Sequence, residues 1–215
     1  MMKMEWLGHA GFCFRSEKNV YFDPFQLTSA RNDADVVFIT HEHFDHCEVA
    51  SLKQVLHKES IIVCPPDCVS KLKDLEFKDV LLVEPEKKYT VCGLSFETTF
   101  AYNVNKFRSP GLPYHPRGNN WVGYIVTIDS ERVYHMGDTD VIPELKNVKD
   151  IDVALVPVSG TYVMTPEEGA QAVGIFSPKI AVPMHYGAIV GTDADAKKFK
   201  ELSSVPVQIM QKIVR

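Results

Sequence analysis

Six consecutive residues constrain this chain more than any other feature: His41-Glu42-His43-Phe44-Asp45-His46, directly after the apolar run DVVFIT. Three imidazoles and a carboxylate crowded at a strand's end repel one another or compete for hydrogen bonds unless a cation gathers them. Imidazole nitrogen and carboxylate oxygen suit zinc, manganese or iron, and no cysteine lies within the six to favour a structural thiolate site. A metal used for chemistry is therefore expected over a structural one. Two further residues occupy equivalent positions: Asp138 follows the strand-like RVYHM, and His185 follows KIAVPM. Strand ends are where loops converge, so residues distant in sequence can meet there. Alone, Asp138 reads as a turn residue and His185 as a hydrogen-bonded histidine; beside the six-residue motif, a ligand role is expected for both.

A chain of 215 residues with 45% hydrophobic content buries a full core, and one domain over 1–215 is the expectation. The net charge of −5 (23 Lys and Arg against 28 Asp and Glu) has no basic footprint, which argues against specific nucleic-acid binding. No apolar stretch approaches the roughly 20 residues of a membrane span, and the opening MMKMEWLGHAGF lacks a signal-peptide core. Five cysteines without a paired framework suit a reducing compartment, so a cytoplasmic location is expected.

Short β-branched and aromatic runs recur from MEWL to VPVQIM and read as strands. Helical spacing marks 48–58, 67–75, 166–176 and 194–202. The third has Thr165 as cap, Pro166 at the first position and Glu168 closing a capping box. Two sheets with helices outside them, an α/β (α+β) four-layer αββα sandwich, accommodate this order better than a doubly wound parallel sheet. Residues 102–120, rich in Pro, Gly and Asn, are expected to form a long functional loop.

The His-x-His-x-Asp-His motif at 41–46, Gly137-Asp138-Thr139 and Met184-His185-Tyr186-Gly187 resemble the metallo-β-lactamase superfamily. LGHAGF, Phe22-Asp23-Pro24 and PVSGTYVMTPEEGAQAV look like the branch holding ascorbate-phosphate lactonase-like and phospholipase D-like hydrolases. The resemblance implies an αββα fold with two adjacent metals. It assigns His41 and His43 to one metal and Asp45, His46 and His185 to the other, with Asp138 bridging. It also expects a third histidine for the first metal near FAYN, where this sequence has Tyr102 and Asn103. His115 is the expected substitute, with an Asn103 amide oxygen as the competing ligand.

Two cations, zinc above all, with manganese next and iron less favoured, would supply hydroxide at neutral pH. Hydrolysis of an ester, phosphodiester or lactone then needs no protein nucleophile, and the chain has no Gly-x-Ser-x-Gly elbow. Asp45 would orient the hydroxide, Asp138 would bridge, and His9, in the Gly8-His9-Ala10-Gly11 turn, would hydrogen-bond or act as an acid. Asp23 reads equally as a carboxylate steadying a ligand imidazole or as a turn residue before Pro24. His135 is expected to be a satisfied core histidine, His57 solvated, and Cys64 and Cys68 core or loop thiols. Asn103, Lys106, Arg117 and Tyr186 are the candidate substrate contacts, with Lys106, Arg108 and Arg117 able to clamp an anionic, possibly phosphorylated, small molecule. The competing readings are an iron-dependent redox enzyme of the persulfide dioxygenase type and a non-catalytic metal-binding protein. A homodimer is the expected assembly.

Overall fold

The β-branched and aromatic runs form two six-stranded sheets in the computed structural model, which describes residues 2–213. The first sheet follows chain order: β1 (Lys3–Gly8), β2 (Gly11–Arg15), β3 (Asn19–Phe22), β4 (Val36–Phe38), β5 (Ile61–Cys64) and β6 (Asp79–Leu82). Its first three strands are antiparallel and β3 to β6 are parallel. The chain then passes through β7 (Lys88–Val91) and β8 (Leu94–Phe100), and through a small hairpin of β9 (Phe107–Ser109) and β10 (Leu112–Pro113). It returns through β11 (Val122–Ile128), β12 (Glu131–His135), β13 (Val153–Pro157) and β14 (Ile180–Met184). The second sheet has the order β14-β13-β12-β11-β8-β7, with β12, β13 and β14 parallel.

Alternation along the strands buries one face of each sheet against the other. Phe38 of the first sheet meets Phe96 and Tyr124 of the second at 5.1 and 4.9 Å between ring centroids. The buried Tyr124 hydroxyl donates to the carbonyls of Ile39 (2.8 Å) and Val63 (3.3 Å), a polar tie between the sheets that leaves no phenol unpaired. Outside the first sheet, α1 (Val49–Val55) buries Leu52 and Val55 against Val37, Ile39 and Ile62. Outside the second, α2 (Pro166–Phe176) lies on β13 and α3 (Asp193–Leu202) on β14. The layers are therefore αββα, as the sequence implies.

Three elements differ from expectation. The capping box of Thr165 and Glu168 starts α2 where it was read, and a second box of Thr192 and Asp195 starts α3. Residues 67–75, however, form only a 3-10 turn, Pro66–Lys71, although Cys68 and Leu72 are buried; so short a segment does not repay α-helix nucleation. Residues 102–120 are not structureless, since they contain the β9–β10 hairpin and a 3-10 turn at Arg117–Asn119. VPVQIM contributes only an isolated bridge between Val207 and Ala181, because Pro206 has no N–H to donate to a ladder.

The sheets are close-fitted where they carry the site. A Cβ on Gly123 of β11 would lie 2.7 Å from Thr99 Oγ1 and 2.9 Å from the carbonyl oxygens of both His135 and Met136. Backbone cannot give way as a flexible side chain can, so Gly123→Ala should cost about 1–3 kcal/mol in urea denaturation of the chelated protein. An unchanged midpoint would show that β11 and β12 separate more freely than this spacing implies.

Candidate metal centre

Strand ends bring the polar residues together. The motif 41–46 follows β4, Asp23 follows β3, Asp138 follows β12, His185 follows β14, and His9 sits in the β1–β2 turn. Three of these residues hold left-handed backbone: His9 (φ 53°), Asp23 (φ 38°) and His185 (φ 61°). Non-glycine residues pay for this conformation, so surrounding bonds must fix it. The His9 carbonyl accepts from both the His185 amide (2.9 Å) and Trp6 Nε1 (3.0 Å), which pins the turn to the end of β14. Gly137 (φ 65°) turns the chain before Asp138, where a Cβ would meet the Val122 carbonyl at 2.9 Å.

Each inward imidazole is held by its Nδ1. His46 Nδ1 lies 2.6 Å from Asp23 Oδ2, His115 Nδ1 lies 2.8 Å from Asn103 Oδ1, His41 Nδ1 lies 2.9 Å from Thr40 Oγ1, and His185 Nδ1 lies 3.1 Å from Ser159 Oγ. The Asp23 carboxylate and the Asn103 carbonyl only accept, so Nδ1 carries the proton in His46 and His115. Thr40 spends its own hydroxyl proton on Asp23 (2.6 Å), so it too accepts from His41. Each of these rings thereby turns its Nε2 into the site, the atom that can give a lone pair to a cation. His41, His46, His115 and His185 each bury an Nε2 without a hydrogen-bond partner, and Asp138 buries an unpartnered Oδ1. Asp138 lies 3.0–3.2 Å from the Nε2 atoms of His185, His115 and His46, distances without hydrogen-bond alignment. Unpartnered buried polar atoms in this number call for a cation among them.

Three overlapping groups place their ligand atoms within 4.8 Å of one another: His41, His43 and His115; His41, His46 and Asp138; and His9, Asp45, His46 and His185. The donors are nitrogen and oxygen throughout, and the histidines turn ring nitrogens toward one another, so the residues fit divalent metal. Burial holds His41 well below the usual histidine range, helped by the neighbouring His46 charge, and brings His43 down to about 4, helped by His115. Burial works against charge on His46 too, but Asp138, Asp45 and Asp23 outweigh it and hold that imidazole protonated. His185 is likewise raised against burial, to about 9, by Asp138 and then Asp45. Burial would raise Asp138, yet the histidines around it, His185 first, keep it well below the carboxylate range.

A family model described as the beta-lactamase superfamily domain matches residues 3–185. The chain belongs to that superfamily. A protein named as a UPF0173 metal-dependent hydrolase from Pyrococcus horikoshii is 31% identical, over 94% of this chain and 92% of the relative. Another of that name from Methanoculleus marisnigri is 30% identical, over 93% and 87%. Among solved structures, a metal-dependent hydrolase from Parabacteroides distasonis aligns with a TM-score of 0.82 at 30% identity, covering 99% of this chain and 94% of that one. A metallo hydrolase from Ignicoccus hospitalis has a TM-score of 0.75 at 22% identity, over 98% and 95%. The fold is the metallo-β-lactamase αββα sandwich.

Within this superfamily member, the seven residues expected to ligate metal, His41, His43, Asp45, His46, His115, Asp138 and His185, all lie in the cluster. Asp23 turns out to steady His46, and His135 is a core histidine, its Nε2 2.8 Å from the Ala10 carbonyl and its ring stacked on Phe22. His57 lies apart from the cluster and accepts from the Glu59 amide. Cys64 and Cys68 are buried thiols of the core beneath α1.

The four candidate substrate contacts lie outside the lining of the cavity over the cluster. Asn103 is buried and fully used, accepting from the His115 amide and ring and donating to the Tyr162 carbonyl, so it positions His115. Lys106 is tied to Glu168 at 2.6 Å, and Arg117 pairs with Glu144 at 3.1 Å while lying 4.0 Å over the Phe100 ring. Tyr186 is buried and stacks on Trp6 at 4.9 Å. The cavity over the cluster, about 300 Å³, is lined instead by His43, Phe44, Asp45, Tyr114, His115, Asp138, Tyr162 and Ile189.

Trp121 packs on the ligand imidazoles themselves. It is buried against His41, His43 and His115 at centroid distances of 4.8, 4.7 and 5.5 Å, with Nε1 donating to Asp67.

Because His46 and His185 are held protonated in the metal-free site while His41 and His43 are already neutral, metal uptake must expel protons from the first pair. Zinc added to chelator-stripped protein in weak buffer at pH 7 should release on the order of two protons per chain. Uptake without release would contradict this charge arrangement.

Proposed function

We propose that this metal-dependent hydrolase, acting as a single domain, cleaves an ester, phosphodiester or lactone of a small molecule at a pair of divalent cations. His41, His43 and His115 would hold one, and Asp45, His46 and His185 the other, with Asp138 between them. The observation that carries this reading is the set of four buried, unpartnered Nε2 atoms facing a shared carboxylate. Zinc fits the donor set best, with manganese next. Bound there, two such cations supply hydroxide at neutral pH and polarise the substrate oxygen that gains charge.

The chain's own residues orient, exclude and hold. No serine, threonine or cysteine lines the cavity, which supports attack by water rather than by a side chain. Asp45 faces the same space, and its Oδ2 is 2.9 Å from His9 Nε2. Burial, and then the His185 charge, bring His9 down to about 4 against the pull of Asp45, so at neutral pH its ring is uncharged and donates Nε2–H to that carboxylate. His9 therefore fixes which way Asp45 can accept a proton from the attacking water. Its own proton is committed to that bond, which argues against a role as leaving-group acid. Five free thiols agree with action in the cytoplasm, and no helix among the described residues is long and apolar enough to cross a membrane.

Hydrolysis of a panel of esters, lactones and phosphodiesters by zinc-loaded protein tests the reading. Turnover of at least one member should vanish with chelator and return with metal. His115→Ala should lower kcat/KM more than about 100-fold, beyond what loss of a supporting residue produces, and Asn103→Ala should weaken metal affinity about 10–100-fold. Iron content with oxygen-dependent persulfide turnover, or full metal loading with no turnover, would sink the hydrolase assignment.

A further inference from the structure

The walls of the cavity say more about the substrate than its floor does. His43, Asp45, His115 and Asp138 make the floor, and every other lining residue is aromatic or aliphatic: Phe44, Tyr114, Tyr162 and Ile189. Among the described residues, no lysine or arginine lines it. The nearby loop cations expected to clamp an anion are spent elsewhere, Lys106 on Glu168 and Arg117 on Glu144, and Arg108 lies over the Tyr114 ring with its guanidinium carbon 5.7 Å from the centroid. Beyond the cations proposed for the floor, the walls then lack the fixed fork of donors by which a site selects phosphate or carboxylate over a neutral group.

The apolar wall is also built with care. Tyr114 and Tyr162 meet edge to face at 4.8 Å. Tyr114 immediately precedes His115, and the Tyr162 carbonyl accepts from Asn103, whose oxygen holds His115. The tyrosine pair is thus positioned by the same bonds that position a metal ligand. The same cavity is lined by Phe44, 63% exposed, and Ile189, 40% exposed, apolar side chains that a substrate bound there would cover.

Resting on the hydrolase reading, we propose that the substrate is an uncharged ester or lactone whose aryl or compact acyl part lies between the Tyr114–Tyr162 pair and Phe44 with Ile189. The reaction consumes one water. Its oxygen bonds to the carbonyl carbon, the C–O bond to the leaving oxygen breaks, and one water proton ends on that oxygen, giving acid and alcohol, or a hydroxy acid from a lactone. No oxidant or reductant enters.

Steady-state kinetics of the zinc-loaded full chain on phenyl acetate, methyl acetate, dihydrocoumarin, bis(p-nitrophenyl) phosphate and p-nitrophenyl phosphate tests the proposal. The neutral aryl ester and lactone should exceed both phosphates in kcat/KM by more than about 100-fold, a margin a site matched to one class can reach. Tyr162→Ala should raise KM for phenyl acetate about 10-fold, well beyond its effect on methyl acetate, which has no ring to lose contact, with Tyr162→Phe restoring the wild-type KM. Metal content measured on each variant separates a lost wall from a lost ligand. Chelator-sensitive turnover that favours a phosphate ester, or a Tyr162→Ala variant that loses kcat equally on both acetates with full metal, would overturn the substrate class and keep the hydrolase. Absence of chelator-sensitive turnover from every substrate would overturn both.

Discussion

Asp23 accepts three hydrogen bonds in the buried centre of the molecule, from the Thr40 amide (2.8 Å), the Thr40 hydroxyl (2.6 Å) and His46 Nδ1 (2.6 Å). Through Thr40 the same carboxylate fixes the tautomer of His41. One side chain at the end of β3 thereby sets which nitrogen of two imidazoles faces the site. Asn103 does the equivalent for His115, and Ser159 Oγ lies 3.1 Å from His185 Nδ1. Burying a polar ring nitrogen without a hydrogen-bond partner is unfavourable in a protein interior, at about 1–3 kcal/mol for each unsatisfied atom. Four such atoms cost about 4–12 kcal/mol on that scale, which a bound divalent metal, at about 10–16 kcal/mol in tight sites, can offset. The fold accordingly spends stability on a site that only metal completes, and the left-handed backbone at His9, Asp23 and His185 belongs to the same strain.

The layered architecture explains why such distant residues share one volume. Parallel strands β3 to β5 and β12 to β14 end at the same edge of the sandwich, so the short segments after them converge. His9 and His115 arrive differently, from a hairpin turn and from the loop preceding β11, and each is held by a backbone bond: His9 to His185, His115 to Asn103. Those contacts close the site at both ends. The cavity that remains is small and walled by aromatic and aliphatic side chains, which links substrate choice to the same loops that deliver ligands.

How much of this the sequence reveals depends on range. The motif at 41–46 is legible because four chemically distinctive residues are adjacent and follow an unmistakable strand, and α2 is legible because its capping box is local. His135 could be read as core because strand alternation settles its side. The competition between Asn103 and His115 could not be settled from sequence, since it is decided by bonds across 12 residues of irregular chain. Lys106 and Arg117 look free in a polar loop; their partners, Glu168 and Glu144, lie 62 and 27 residues further on, and no periodicity announces such pairs. Asp23 stood between two readings for the same reason, its partners being 17 and 23 residues away.

The most direct test of the account is anomalous X-ray scattering at the zinc edge from crystals of metal-loaded protein. Two peaks are predicted, one among His41, His43 and His115 and one among Asp45, His46 and His185, with an Asp138 oxygen at each. A single peak, or peaks away from the unpartnered Nε2 atoms, would contradict the claim that these imidazoles are oriented for a pair of metals.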